Sequence, residues 1–181
     1  KPGKEGIFEA RAIVFEGPED YHDRINDPAL DIDENCVLFI RGVGCVGYPG
    51  SAEVVNMQPP DHIIRQGIAH LPTVGDGRQS GTSESPSILN ASPESVVGGG
   101  LAYLKTGDMV QLDLNISKLN ALVDDAEWQA RIDAWEAPVI EHQTPWQEIY
   151  RTHVGQLADG GCLELATAYQ KISKIIPRDN H

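Results

Sequence analysis

Apolar residues fall into short runs separated by Gly, Pro, Asn and Asp, and the period of those runs changes along the chain. Residues 7–16 (IFEARAIVFE) have the β-branched and aromatic content of a strand, centred on Ile13, Val14 and Phe15. Gly17-Pro18 ends it, and residues 19–25 suit a short helix before Asn26-Asp27-Pro28. Cys36-Val37-Leu38-Phe39-Ile40 is a continuous apolar run, the pattern of a strand buried on both faces. Asp61 to Leu71 predicts an amphipathic helix capped by Asp61, with Ile63, Ile64, Ile68 and Leu71 on one side. Ser92-Pro93-Glu94-Ser95 reads as a helix start with proline at the first helical position, and Gly98-Gly99-Gly100 closes it.

Three strands are expected next, at Leu101–Lys105, Met109–Leu114 and Leu119–Val123. Turns at Thr106-Gly107-Asp108 and Asn115–Lys118 join them. Asp124 with Glu127 is a capping box for a helix running through Trp128, Ile132 and Trp135 to Pro138. Thr144-Pro145-Trp146-Gln147 starts another helix by the same logic, ending near Asp159-Gly160-Gly161, and a last one is expected from Cys162 to Ile176. Both termini read as frayed. Strands, a glycine-rich middle, a hairpin group and then helices predict one α+β domain over residues 1–181, with a barrel-like sheet flanked by helices.

Composition narrows the function classes. With 181 residues, 40% apolar and 23% charged, the chain is large enough for a real core and ordinary for a globular protein. A net charge of −13 argues against a nucleic-acid partner, which calls for a basic stripe, and against adhesion to an anionic membrane. A small anionic substrate stays open, since a local site can oppose the global sign. Cys36, Cys45 and Cys162 are odd in number and far apart, with no CxxC or Cys/His cluster, which points to a reducing, cytoplasmic setting. No apolar run approaches the roughly 18 residues of a membrane span, and no signal peptide opens the chain. The first residue is Lys1, as expected of a processed product or a piece of something longer.

Chemistry concentrates in Gly75-Asp76-Gly77-Arg78-Gln79-Ser80-Gly81-Thr82-Ser83, where hydroxyls, a carboxylate and a guanidinium sit among glycines. Such a stretch suits a tight turn, with Asp76 as a turn residue, or a loop that approaches a ligand closely. Upstream, Gly42-Val43-Gly44-Cys45-Val46-Gly47 is a formal GxGxxG after a strand. A dinucleotide fingerprint must open a helix, however, and Tyr48-Pro49-Gly50 follows at once, so a glycine-rich connection is the better reading. Glu53 is the one carboxylate in a small and apolar run, which suits either a helix N-terminus or a metal ligand. Ser80 lacks the GxSxG of a nucleophile elbow, Lys105-Thr106-Gly107 lacks an SxxK partner, and the six histidines show no metal-ligand spacing.

Asp76 to Thr82, followed by Ala91-Ser92-Pro93-Glu94 and Gly98-Gly99-Gly100, resembles the dihydroxy-acid and sugar-acid dehydratases. Gly47-Tyr48-Pro49-Gly50-Ser51-Ala52-Glu53 upstream continues the likeness, as do Gly107-Asp108, Asp113 and residues 122–127 (LVDDAE) downstream. Gln79 stands where branched-chain members usually carry a large apolar residue. The Gln-Ser-Gly-Thr-Ser run, residues 86–90 (PSILN) and residues 142–148 (HQTPWQE) are similar to the pentonate (arabinonate or xylonate) dehydratases.

The resemblance covers nearly the whole chain but only the family's C-terminal part. It implies a swivelling β/α domain that closes over an N-terminal domain holding a 2Fe-2S cluster and most ligands of a Mg2+ ion, in a protein expected to be homo-oligomeric. It further implies dehydration of an aldonate to a 2-keto-3-deoxy acid, with Ser80 as base at C2, Thr82 on the substrate and Glu53 as this domain's Mg2+ ligand. Arg78 is expected to hold the loop rather than the substrate. Branched-chain dihydroxy-acid dehydration and a non-catalytic assembly domain of the same fold are the competing expectations.

Overall fold

The computed structural model describes residues 6–53, 56–80 and 84–169. A mixed sheet of six strands in the order β4-β3-β2-β1-β5-β6 forms a curled half-barrel. Its strands are β1 (Ile7–Phe15), β2 (Cys36–Ile40), β3 (Thr73–Gly75), β4 (Ser87–Ile88), β5 (Met109–Asp113) and β6 (Lys118–Ala121). β1 to β4 run parallel, whereas β5 pairs antiparallel with β1 and with β6.

The period of two in β1 and β2 divides the core between the two faces of the sheet. Ile13, Phe15, Leu38 and Ile40 point one way and pack with Tyr21, Ile25, Met57 and Leu71. Ala12, Val14, Val37 and Phe39 point the other way and pack with Val74, Leu101, Leu104 and Val110. All five residues of β2 are buried, as its unbroken apolar run predicts. Helix α1 (Pro18–Arg24) covers the first face through Tyr21, whose ring meets Phe15 edge-on at 5.3 Å and whose hydroxyl accepts from Gln58 N at 2.7 Å.

Several expectations change. The helix expected over 61–71 is α2 (Asp61–Arg65), with Pro60 rather than Asp61 at the N-cap. Gly67 stops it in the left-handed region at φ 86°; its N–H bonds to Ile64 O while Ile68 N–H bonds to Ile63 O, the pattern of a Schellman cap. Leu101–Lys105 is not a strand. A 3₁₀ turn at Gly100–Ala102 lies over the second face, and the Arg41 guanidinium takes the Leu101, Ala102 and Leu104 carbonyls at 2.7, 3.1 and 3.0 Å, which removes them from any ladder. No helix begins at Ser92-Pro93: a 3₁₀ turn spans Ser95–Val97 with Glu94 at its N-cap, because Glu94 is drawn inward. The helix expected to reach Pro138 is α3 (Asp125–Asp133).

Helix α3 is capped by Asp124, which accepts from Ala126 N and Glu127 N. It is tied to the β5 turn by Arg131, whose guanidinium grips Asp108 at 2.6 and 3.1 Å and donates to Tyr103 O. Helix α4 (Pro145–His153) begins in the expected capping box of Thr144 and Gln147. It stops short of the expected end near Asp159-Gly160-Gly161, because Val154 turns extended to bridge Leu163 and Leu157–Asp159 forms a separate 3₁₀ turn. Of the last expected helix, α5 (Glu164–Thr167) falls within the described residues, and the part from 170 onward lies outside them. No described helix is long and apolar enough to cross a membrane.

Candidate active site

The carboxyl ends of the parallel strands β1, β2 and β3 lead into the loops beginning at Glu16, Arg41 and Asp76, the edge at which open α/β sheets bind ligands. The loop after β2 is the formal GxGxxG. Its inward-facing amides hold two carboxylates of the chain itself. Asp76, fully buried, accepts from Gly42 N at 3.1 Å, Val43 N at 3.0 Å, Ser95 N at 2.8 Å and Ser95 Oγ at 2.6 Å. Glu94, 2% exposed, accepts from Val46 N at 2.9 Å, Gly47 N at 2.9 Å and Gln156 Nε2 at 2.9 Å. Backbone amides arranged this way suit an anion, and here the anions are internal. The dinucleotide reading therefore fails, since a pyrophosphate would have to displace buried carboxylates. Asp76 is not a turn residue but the anchor that joins the loops after β2 and β3.

Two close approaches explain glycines in this anchor. A Cβ on Gly77 would collide with the Val43 carbonyl, and one on Gly44 would enter the Glu94 carboxylate. The loop after β3 is thereby pressed against the loop after β2 before it reaches Arg78, Gln79 and Ser80.

Exposure then alternates: Arg78 is exposed, Gln79 buried and Ser80 half-buried. Gln79 turns back under the sheet, where its Oε1 accepts from Thr73 Oγ1 at 3.0 Å and Thr73 Oγ1 lies 2.8 Å from Ser87 Oγ. Arg78 and Ser80 are left on the open side. Glu53 and Arg78 form an isolated parallel bridge, and their side chains pair with Arg78 Nη2 3.0 Å from Glu53 Oε1. Glu53 itself has the backbone of a bridge rather than of a helix start. The expected base Ser80 and the expected ligand Glu53 thus lie on adjoining loops linked through Arg78. Thr82, the expected substrate contact, lies outside the described residues.

Behind this rim, Ser51 Oγ donates to Cys45 Sγ at 3.1 Å, and burial pushes the neighbouring Tyr150 phenol up despite its hydrogen bond with Ser51. Arg151 hooks α4 to the same loop by donating to Val46 O at 2.9 Å and to His142 Nδ1 at 3.0 Å, and burial lowers its pKa from the ordinary arginine value.

Among the described residues no group of three or more His, Cys, Asp or Glu side chains is placed to hold a metal ion. Glu53, about half exposed and with a terminal oxygen at the open rim, fits a single hard-cation ligand and no more. The cysteines do not fit an iron–sulfur cluster: Cys36 is buried beside Asp33, Cys45 is buried beside Ser51, and Cys162 is exposed, with no shared group of ligands among them. The anchoring roles of Asp76, Glu94, Gln156 and Arg151 were not foreseen from sequence. The available signal was a glycine loop with no helix behind it, followed by two acidic residues in glycine- and serine-rich context.

Residues 2–162 match the dihydroxy-acid/6-phosphogluconate dehydratase C-terminal family. The chain belongs to this family. D-xylonate dehydratase from Caulobacter vibrioides is 62% identical over all 181 residues, which make up 30% of that protein. L-arabinonate dehydratase from Rhizobium leguminosarum bv. trifolii is 35% identical over 97% of the chain and 30% of its own length. Dihydroxy-acid dehydratase from Clostridium beijerinckii is 37% identical over 71% of the chain and 22% of its own length. The chain therefore spans about a third or less of these dehydratases.

Proposed function

We propose that this chain is the C-terminal, active-site-contributing part of a hydro-lyase that converts an aldonate of the pentonate class to a 2-keto-3-deoxy acid. The observation that carries this reading is the 62% identity to a D-xylonate dehydratase over every residue of the chain. The loop geometry supports it, because Glu53 pairs with Arg78, two residues from Ser80 in the loop beyond the carboxyl end of β3.

In the proposed reaction Ser80 Oγ takes the proton from C2. The C2–H electron pair becomes the C2=C3 bond as the C3–O bond breaks, and the departing hydroxide becomes water by taking the proton that Ser80 Oγ received, which restores the base. The enol then tautomerises to the 2-keto acid, with a proton added at C3. A serine hydroxyl is a weak base unless its alkoxide is favoured by nearby positive charge. A Mg2+ ion and an iron–sulfur cluster, when bound, would supply that charge and the Lewis acidity for loss of the C3 oxygen. From this chain Glu53 would contribute one Mg2+ ligand, Thr82 would contact the substrate, and the Asp76 anchor holds the loop that carries Ser80. The cluster and the other ligands come from an N-terminal domain of the same enzyme, which acts in the cytoplasm as a homo-oligomer.

A branched-chain dihydroxy acid is the alternative substrate, favoured by the 37% identity to the Clostridium beijerinckii enzyme. The test is 2-keto-3-deoxy acid formation by the full-length protein, anaerobically with Mg2+, from pentonates, hexonates and dihydroxy-isovalerate. Turnover of pentonates supports the proposal. Turnover of dihydroxy-isovalerate alone overturns the aldonate assignment, and no turnover by cluster-loaded protein overturns the enzyme reading.

A further inference from the structure

We propose that Arg78 binds the substrate carboxylate and that Glu53 masks it, so that drawing Glu53 away uncovers the anion site. The proposal rests on the aldonate reading above and adds a role for the ion pair at the rim.

An anionic substrate approaching a chain of net charge −13 needs a local cation. Most described arginines are committed elsewhere. Arg41 is locked by three carbonyls and Glu16, and Arg131 is only 11% exposed between Asp108 and Glu127. Arg24 lies along Asp20 and Arg11 beside Asp31, while Arg65 is exposed beside Asp61 on α2, an element that carries none of the candidate site residues. Arg151 has no carboxylate partner among the described residues, but it is spent on backbone carbonyls and His142 as the hook of α4. Arg78 differs. It lies two residues from Ser80, its side chain is 52% exposed, and its close polar partner among the described residues is Glu53, itself 48% exposed. Its second contact, to Ser51 O, is stretched to 3.4 Å.

Geometry places this cation where the chemistry needs it. An extended chain carries residues i and i+2 on one face about 6.6 Å apart. The exposed, buried, half-buried sequence at Arg78, Gln79 and Ser80 follows that period. A carboxylate docked on the guanidinium at about 2.8 Å holds its α-carbon, the C2 of an aldonate, within side-chain reach of Ser80. The masking is weak by design of the surface: an ion pair this exposed shifts an equilibrium by about fivefold at most. A bidentate carboxylate ligand, or a cation that recruits Glu53, is enough to separate the two side chains.

The probe is a 3-deoxy-pentonate, which keeps the carboxylate and C2 hydroxyl but has no C3 hydroxyl to lose. Its binding to the full-length protein is measured by calorimetry with Mg2+ and after Mg2+ removal. Glu53→Gln in Mg2+-free protein is expected to bind it at least threefold more tightly than Mg2+-free wild type. Arg78→Gln is expected to weaken binding about tenfold or more, the double variant to match Arg78→Gln, and a neutral 3-deoxy-lactone to bind all four proteins equally. Arg78→Lys, which keeps the charge and loses the fork, is expected to fall between wild type and Arg78→Gln. No gain in Glu53→Gln, or a gain that survives in the double variant, overturns the mask. Failure of the Mg2+-loaded wild type to bind the probe at all overturns the aldonate reading instead.

Discussion

At the scale of single residues, the organising feature is a pair of buried carboxylates rather than the half-buried serine nearby. Asp76 accepts four hydrogen bonds from two loops and a 3₁₀ turn. An amide in its place presents a donor to at least one of those donors, so Asp76→Asn is expected to cost about 3 kcal/mol. The midpoint of urea unfolding checks this, and an unchanged midpoint would remove Asp76 from the anchor. Gly77→Ala puts a methyl group against the Val43 carbonyl. The expected cost is about 1–3 kcal/mol, with lost turnover in the full-length enzyme because Ser80 is carried on the displaced loop. These anchors were illegible in the sequence for a physical reason: Asp76 bonds across more than thirty positions, and no local pattern reports such a pairing. Glu53 and Ser80 were picked out by likeness to a family; the residues alone favoured a tight turn at Ser80 and left Glu53 open between a helix N-terminus and a metal ligand.

At the scale of elements, local signals were legible and long-range ones were not. β1, β2, the β5–β6 hairpin and the Thr144 capping box formed as the periodicity and cap residues predict, because neighbouring residues determine each of them. Leu101–Lys105 was misread because its apolar pattern fits a strand, whereas its carbonyls belong to Arg41, sixty positions away. Gly67 carried a readable stop signal for α2 that the apolar pattern overrode. The Arg131–Asp108 pair, 11% and 12% exposed, staples α3 to the sheet. Replacing Arg131 with Met leaves Asp108 without its partner and is expected to destabilise the fold by about 3 kcal/mol. Burial alone would push the Asp108 carboxyl up, but the hydrogen bonds and charge of Arg131, with Lys105, outweigh it and hold the pKa below the ordinary value of 3.8. A depressed carboxyl contributes stability that is full well above the unfolded value, near about pH 4, and is lost as pH falls through the lower folded value. The acid limb of a stability profile below about pH 4 should therefore be shallower in Asp108→Asn than in wild type. Identical limbs would contradict the staple.

At the scale of the whole molecule, a half-barrel presents one proposed catalytic loop and one candidate metal ligand at an open edge, with no complete metal site among the described residues. Half of a site is chemically inert, so the isolated 181-residue chain is expected to form no 2-keto-3-deoxy acid from any aldonate, and measurable turnover by it would contradict the division of labour proposed above. The account stands most directly on Ser80. Turnover of a pentonate by the full-length, cluster-loaded protein, wild type beside Ser80→Ala, measures that claim. Removing a positioned base is expected to lower kcat by about 10²–10⁴-fold, with the cluster spectrum and unfolding midpoint unchanged. A Ser80→Ala protein that retains kcat within a few-fold of wild type would show that another group takes the C2 proton.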